Sequence, residues 1–340
     1  MRIQILFILA LVAVAVSFKA DKPVGPQTNL QEVLIALGEQ PPKHYIAEPD
    51  PKLVALGYEL THEARAKTAD GYSPYISTIF VCTDCHNQVQ EDPVLGNPNP
   101  EARLTYAIQN NLPFLQATTF WGMVNRETWY NDDYVKKYGD WIAPAKESLY
   151  ESTQLCAREC SSGRPLEQWE WEAFQHYYWS LQLRLGDLDN MTESDYNRIS
   201  QAIRSESKDM KSSAISFLKS RYMTFSPAHF TEAPSDRKKG YEGTTAGNPE
   251  VGKEIYDRSC KTCHQYGGPS LFTLDEAKTT FKMLKKNIAK FNDYSLYQIT
   301  RYGTHAEPGH RQYMPLYTLD RLSNQQLEDL KAYIVKRASK

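Results

Sequence analysis

Apolar residues recur at intervals of three and four in several stretches of the chain, and no stretch sustains alternation of apolar and polar positions. The fold is therefore expected to be mostly α. Asp50-Pro51 and Asn248-Pro249 each set a capping side chain before a proline suited to the first helical position. They predict helices carrying Leu53 to Leu60 and Val251 to Tyr256. Leu166, Trp169, Phe174, Tyr177, Leu181 and Leu185 share one face of a further helix that Gly186 would end. Ser323 and Gln326 form a capping-box pair ahead of Leu327, Leu330 and Ile334. Another helix, opened by Thr273 and Glu276, would bury Phe281, Leu284, Ile288 and Phe291 and present Lys278, Lys282, Lys285, Lys286 and Lys290 on the rest of its surface. Leu188 to Tyr222 reads as two helices, one following Thr192, and Ser226 to Gly247 as a linker rich in Pro, Gly and charge.

The chain opens differently. Arg2 precedes an apolar run from Ile3 to Val16, the length of a signal-peptide core and short of the roughly 20 residues that span a bilayer. Ala15-Val16-Ser17 supplies a cleavage site, which makes 1–17 a signal peptide and the protein periplasmic or otherwise exported. Phe18 and Lys19 keep open an uncleaved membrane anchor, and membrane association is expected only if this segment is retained. The absence of a nearby cysteine argues against a lipoprotein.

Composition changes the picture in one respect. With 39 Lys and Arg against 41 Asp and Glu, the chain is too balanced for a nucleic-acid binder. Residues 231–340, however, hold 18 basic against 13 acidic residues, so a module of charge +5 follows a body of charge −7.

Four of the six cysteines carry the chemistry. They occur as Cys82-Thr83-Asp84-Cys85-His86 and Cys260-Lys261-Thr262-Cys263-His264, the C-x-x-C-H pattern of covalent c-type haem attachment. Two thiols three positions apart can each form a thioether to one porphyrin edge, while the adjacent histidine reaches the iron. A zinc site or a thioredoxin-like pair would have to explain that histidine twice. Two covalently attached haem c groups are therefore expected.

Each motif follows one predicted capped helix and precedes an aromatic closing helix, a plan that resembles class I cytochrome c. Gly252 and Tyr256 match the small and aromatic positions of that family's first helix, and Leu330 to Ile334 its last. The resemblance implies two fused cytochrome c domains, 50–186 and 248–340, with an N-terminal extension at 18–49 and a helical insertion and linker at 187–247 between them. The family's loop methionine implies Met314, in Met314-Pro315, as the sixth ligand opposite His264; Met283, His305 and His310 compete for that position.

In the first module the segment from Gln154 through Cys156, Cys160 and Gly163-Arg164-Pro165-Leu166 resembles diheme thiosulfate dehydrogenases and the cytochrome subunit of the Sox sulfur-oxidising complex. In those families a cysteine before Gly-x-Pro-Leu ligates the haem, which places Cys156 opposite His86. A Cys156–Cys160 disulfide, Met123 and His176 remain alternatives. Those enzymes also tend to carry an arginine before the ligand cysteine, where this chain has Glu151; Lys146, Arg158 and Arg164 could replace its charge.

The expectation is an exported diheme c-type cytochrome that passes single electrons to redox partner proteins. A sulfur-oxyanion oxidising enzyme with Cys156 in its active site is the alternative, and a haem-based redox sensor a third class.

Overall fold

The computed structural model describes residues 23–292, 294–304 and 314–339. The predicted signal peptide, 1–17, lies outside the described residues, as do His305 and His310. Eleven of the helices order the chain: α1 (Leu30–Ala36), α2 (Pro51–Glu63), α3 (Pro100–Gln109), α4 (Leu149–Leu155), α5 (Gln168–Ser180), α6 (Glu193–Arg204), α7 (Lys208–Lys219), α8 (Pro249–Ile255), α9 (Lys278–Asn287), α10 (Leu296–Tyr302) and α11 (Asn324–Ser339). Among the described residues, extended structure amounts to one two-residue ladder, Lys67–Thr68 with Gly71–Tyr72, and an isolated bridge from Asn29 to Arg184. The fold is mostly α.

The helix starts are set by local chemistry. Asp50 accepts from the Lys52 amide at 2.7 Å and Asn248 from the Glu250 amide at 3.0 Å. Ser323 and Gln326 exchange reciprocal bonds of 3.1 and 3.0 Å before α11. Thr192 and Asp195 do the same before α6.

Two helix crossings repeat one plan, α2 against α5 and α8 against α11. Each turns on a glycine. A Cβ on Gly57 would overlap the backbone of Ala173, and one on Gly252 the backbone of Asp329. Only glycine lets the axes approach this closely.

Two helices differ from expectation. The helix α5 ends at Ser180 rather than Gly186, because the chain then diverges: the Leu183 amide bonds Asn125 Oδ1 at 2.8 Å, and Leu183 and Leu185 enter another core. The helix α9 starts after Ala277, and Asp275, not Thr273, accepts from the Ala277 amide at 3.0 Å. Phe291 lies beyond the end of α9, 72% exposed and under the guanidinium of Arg237, so it does not join Phe281 and Ile288 inside.

Three larger apolar cores result, beside a small cluster of Ile142, Ala145 and Leu155. The first gathers Leu60, Phe120, Phe174 and Tyr178 around the α2–α5 crossing. The second gathers Ile255, Tyr256, Phe281, Leu327, Leu330 and Tyr333 around α8 and α11, and takes in Leu104, Ala107 and Phe114 from α3 and the strand-like segment after it. The third joins α1 to α6 and α7 through Leu30, Leu34, Leu185, Ile199 and Leu218.

The first two cores are bolted together by polar contacts. Arg321, 5% exposed, pairs with Glu91, 4% exposed, at 2.7 and 3.0 Å, and also donates to the carbonyls of Leu115 and Ala117 at 2.8 and 2.7 Å. The Phe114 amide donates to the Arg258 carbonyl at 2.8 Å, and Gln326 Nε2 to that of Pro100 at 2.8 Å. Among the described residues no helix is long and apolar enough to cross a membrane.

Candidate functional site

The first C-x-x-C-H motif forms a tight turn after the extended segment ending at Val81, with Asp84 accepting from the Val81 amide at 2.9 Å. Cys82, Cys85 and His86 face a cavity of about 1470 Å³, counting the space at its open mouth. Its walls are largely apolar and aromatic, with Leu60, Phe120, Trp129, Phe174 and Tyr178 among them.

His86 is oriented from two sides. Its Nδ1 donates to the Thr118 carbonyl at 2.6 Å, and its ring stacks on Phe120 at 4.4 Å between centroids. A carbonyl can only accept, so the proton sits on Nδ1 and Nε2 keeps its lone pair for a metal. Burial pushes the imidazole down to about 4, against the pull of the Thr118 carbonyl, and keeps it neutral. Burial likewise pushes the Cys82 thiol up to about 12. Neutral, desolvated thiols suit thioether formation better than a thiolate metal site. Among the described residues, no three His, Cys, Asp or Glu side chains converge as metal ligands.

The opposite wall carries the other two cysteines. After α4 the helix widens into a single π turn, Cys156–Cys160, and both sulfurs line the cavity as free thiols. The two thiols lie within interaction range of each other. Cys160 also receives the hydroxyls of Tyr138 at 3.6 Å and Tyr130 at 4.0 Å. The mutual interaction of the pair, with the two tyrosine hydroxyls, holds the Cys160 thiol down to about 7, and the same interaction with burial pushes Cys156 well up.

The remaining candidates divide. Met123 lines the cavity. His176 does not join that lining, and its Nδ1 accepts from the Asp50 amide at 2.8 Å. The three basic residues nominated to replace a missing arginine are engaged elsewhere. Lys146 pairs with Asp132; Arg158 pairs with Glu159 at 3.3 Å; Arg164 forks onto buried Glu170 at 2.6 and 2.8 Å.

Besides Arg321, which is paired with Glu91, the cavity is lined by Arg126, which the pattern of the chain did not single out. Among the described residues it has Glu91, Asp92 and Asp320 within electrostatic reach, but no hydrogen-bonded partner for its guanidinium. Nothing local marks it, since its neighbours in space come from distant parts of the sequence.

The second motif ends the π turn Tyr256–Cys260 and occupies the short helix Lys261–His264. His264 Nδ1 donates to the Phe272 carbonyl at 2.7 Å, the same arrangement that frees Nε2 in the first module. Cys260 and Cys263 are pushed up to about 12 and about 11 by burial. Around His264, Tyr266 and Leu271 stand 96% and 82% exposed, apolar surface of the kind a porphyrin would cover. Met314 is half-buried, its carbonyl accepting from the Thr304 amide at 2.8 Å, and Pro315 and Leu316 line the first cavity. Met283 is 38% exposed on α9.

The two motifs are neighbours. Gln116, which lines the first cavity with Cys85, accepts on Oε1 from the Tyr317 hydroxyl at 3.3 Å; that hydroxyl also meets Ser259, next to Cys260. Cys85 and Cys263 lie within electrostatic reach of each other.

A helix crossing closed on glycine, two buried thiols on one turn and an imidazole with its Nε2 left free together define residues 247–334 as a c-type cytochrome domain. This segment matches the family described as cytochrome C oxidase, cbb3-type, subunit III. Such a domain holds haem c covalently and serves haem-based electron transfer. No curated protein and no solved structure matches the chain.

Proposed function

We propose that the protein is an exported diheme c-type cytochrome, with one haem on Cys82, Cys85 and His86 and the other on Cys260, Cys263 and His264. The observation that carries the reading is the cavity facing the first motif, whose histidine makes the same Nδ1-to-carbonyl bond as the histidine of the matched domain. When bound, haem c supplies a one-electron iron couple tuned by its axial ligands.

The chain's own residues do the rest. Thr118 and Phe272 fix the imidazole tautomers, Phe120 holds the His86 plane, and the aromatic walls keep water from the site. Cys156 is the proposed sixth ligand in the first module and Met314 in the second. The bridge from Gln116 through Tyr317 to Ser259 sets the motifs side by side for internal electron transfer. The denatured mature protein should be heavier than its polypeptide by two haems and keep haem stain in the gel; the mass of a single haem would sink the reading.

A second reading, a sulfur-oxyanion oxidising enzyme, is favoured by one observation: Arg126 lines the same cavity as Cys156 and Cys160. An unbonded cation there can bind a small anion or a haem propionate. Titration with thiosulfate, followed in the Soret band, separates the two, since catalytic haem reduction supports the enzyme and its absence the carrier.

A further inference from the structure

The second cysteine of the cavity wall is not accounted for by haem attachment or by a single sulfur ligand. We propose that Cys156 and Cys160 form a reversible dithiol/disulfide pair, a two-electron store facing the first haem. The inference rests on the diheme reading.

Three observations carry it. The two cysteines stand at the first and last positions of one π turn, four residues apart and within interaction range of each other. Both are free thiols and both line the cavity. The hydroxyls of Tyr138 and Tyr130, 3.6 and 4.0 Å from Cys160 Sγ, hold that sulfur beside its partner. An ordinary α-helical turn needs no π widening to expose one ligand, whereas π turns inside helices cluster at functional positions.

The step balances within the protein. Cys156 and Cys160 lose two protons and two electrons as the S–S bond forms. On the diheme reading the electrons would go one to each of the two ferric haems, and the protons would leave to water at the open mouth of the cavity. A thiol/disulfide couple exchanges two electrons, and two one-electron haem centres are the matching acceptor. Formation of the bond withdraws the Cys156 sulfur from the iron, so the pair also decides whether the sixth position opposite His86 is filled by sulfur. A dithiol reductant, or the reduced haems running the step backwards, restores the thiols.

The test uses the full-length holoprotein and its Cys160→Ser variant, which keeps a hydroxyl for Tyr130 and Tyr138. Each is oxidised with ferricyanide or reduced with dithionite, denatured, and treated with a thiol alkylator. Wild type should take two alkyl groups after reduction and none after oxidation, and the oxidised chain should be two hydrogen masses lighter. Reductive titration should consume two more electron equivalents in wild type than in the variant. Cys160→Ser should retain the thiolate signature of the first haem after ferricyanide, where wild type loses it. Two alkyl groups in both states, with equal electron uptake by the two proteins, would overturn the proposal. A mass with only one haem would strike at the diheme reading instead, while a persisting difference of two electrons would still support the pair.

Discussion

His86 and His264 each have the Nδ1 proton committed to a backbone carbonyl, and the environments beyond that differ. His86 is deep in a large cavity and pushed down to about 4 by burial; His264 is lowered by the same cause but stands among exposed side chains. The sulfur opposite each is expected to differ as well. A thiolate stabilises ferric iron and a thioether ferrous iron, so the Cys156 haem should have the lower potential. If the ligands supply a quarter of the roughly 0.8 V range open to axial ligation, the gap is about 0.2 V, and electrons run from the first haem to the second. Cys156→Met should raise the first potential and shrink that gap in a redox titration that resolves the two haems; an unchanged first haem would remove Cys156 as the ligand. A second prediction concerns Asp92, whose carboxyl is raised to about 7 by burial, with the Glu91 charge adding to the effect. An aspartate raised from its usual value of about 3.9 holds more protons folded than unfolded. Its contribution to stability is therefore present below about pH 4 and lost as pH rises through about 7. Asp92→Asn should raise the melting temperature relative to wild type at pH 8 and leave it little changed at pH 4.

At the scale of the helices, the two glycine crossings give a prediction whose sign is contested by two effects. Alanine is favoured over glycine inside a helix by about 1 kcal/mol. Yet a Cβ on Gly252 would overlap the Asp329 backbone, which cannot swing aside as a side-chain tip can. Overpacking of this kind costs about 1–3 kcal/mol, so Gly252→Ala should lower the midpoint of chemical denaturation. The capped helix starts and the motif-bearing turns were legible in the sequence because each depends on residues within a few positions of one another, as with Asp50 and Lys52 or Ser323 and Gln326. Gly252 could be matched to a known pattern. Gly57, which does the same work in the first crossing, sits among less distinctive neighbours. The ends of helices were less legible. The helix α5 stops where Asn125, more than fifty residues earlier, captures the Leu183 amide, and no local breaker announces it. Arg126 was invisible for a related reason: Glu91, Asp92 and Asp320 are brought to it only by the tertiary fold.

Across the whole molecule, charge is divided unevenly, and the basic side has a location. Lys278, Lys282, Lys285, Lys286 and Lys290 are all exposed along α9 and just beyond it, in the module that carries the second motif. Such a surface should steer an acidic redox protein toward the second haem. Raising ionic strength from about 0.01 M to 0.15 M shortens the screening length from about 30 to 8 Å. The association rate should then fall roughly tenfold or more, as measured by stopped-flow mixing with an acidic electron acceptor. A salt-independent rate would leave these lysines a role in solubility only.

The shared wall between the two motif-bearing units has a consequence for how such a protein can arise and be divided. Leu104, Ala107 and Phe114 precede the first unit's closing helix in the chain yet fill the second unit's interior, and Arg321 returns from the second to seize Glu91 and the carbonyls of Leu115 and Ala117. A cut in the linker near residue 247 would strip the downstream piece of part of its interior and leave the upstream piece with a buried carboxylate facing water. The boundary drawn by the linker is thus not the boundary along which the molecule comes apart. Recombination that transplanted the downstream unit alone would deliver an incomplete object, and only an exchange carrying residues 91–117 with it would be viable.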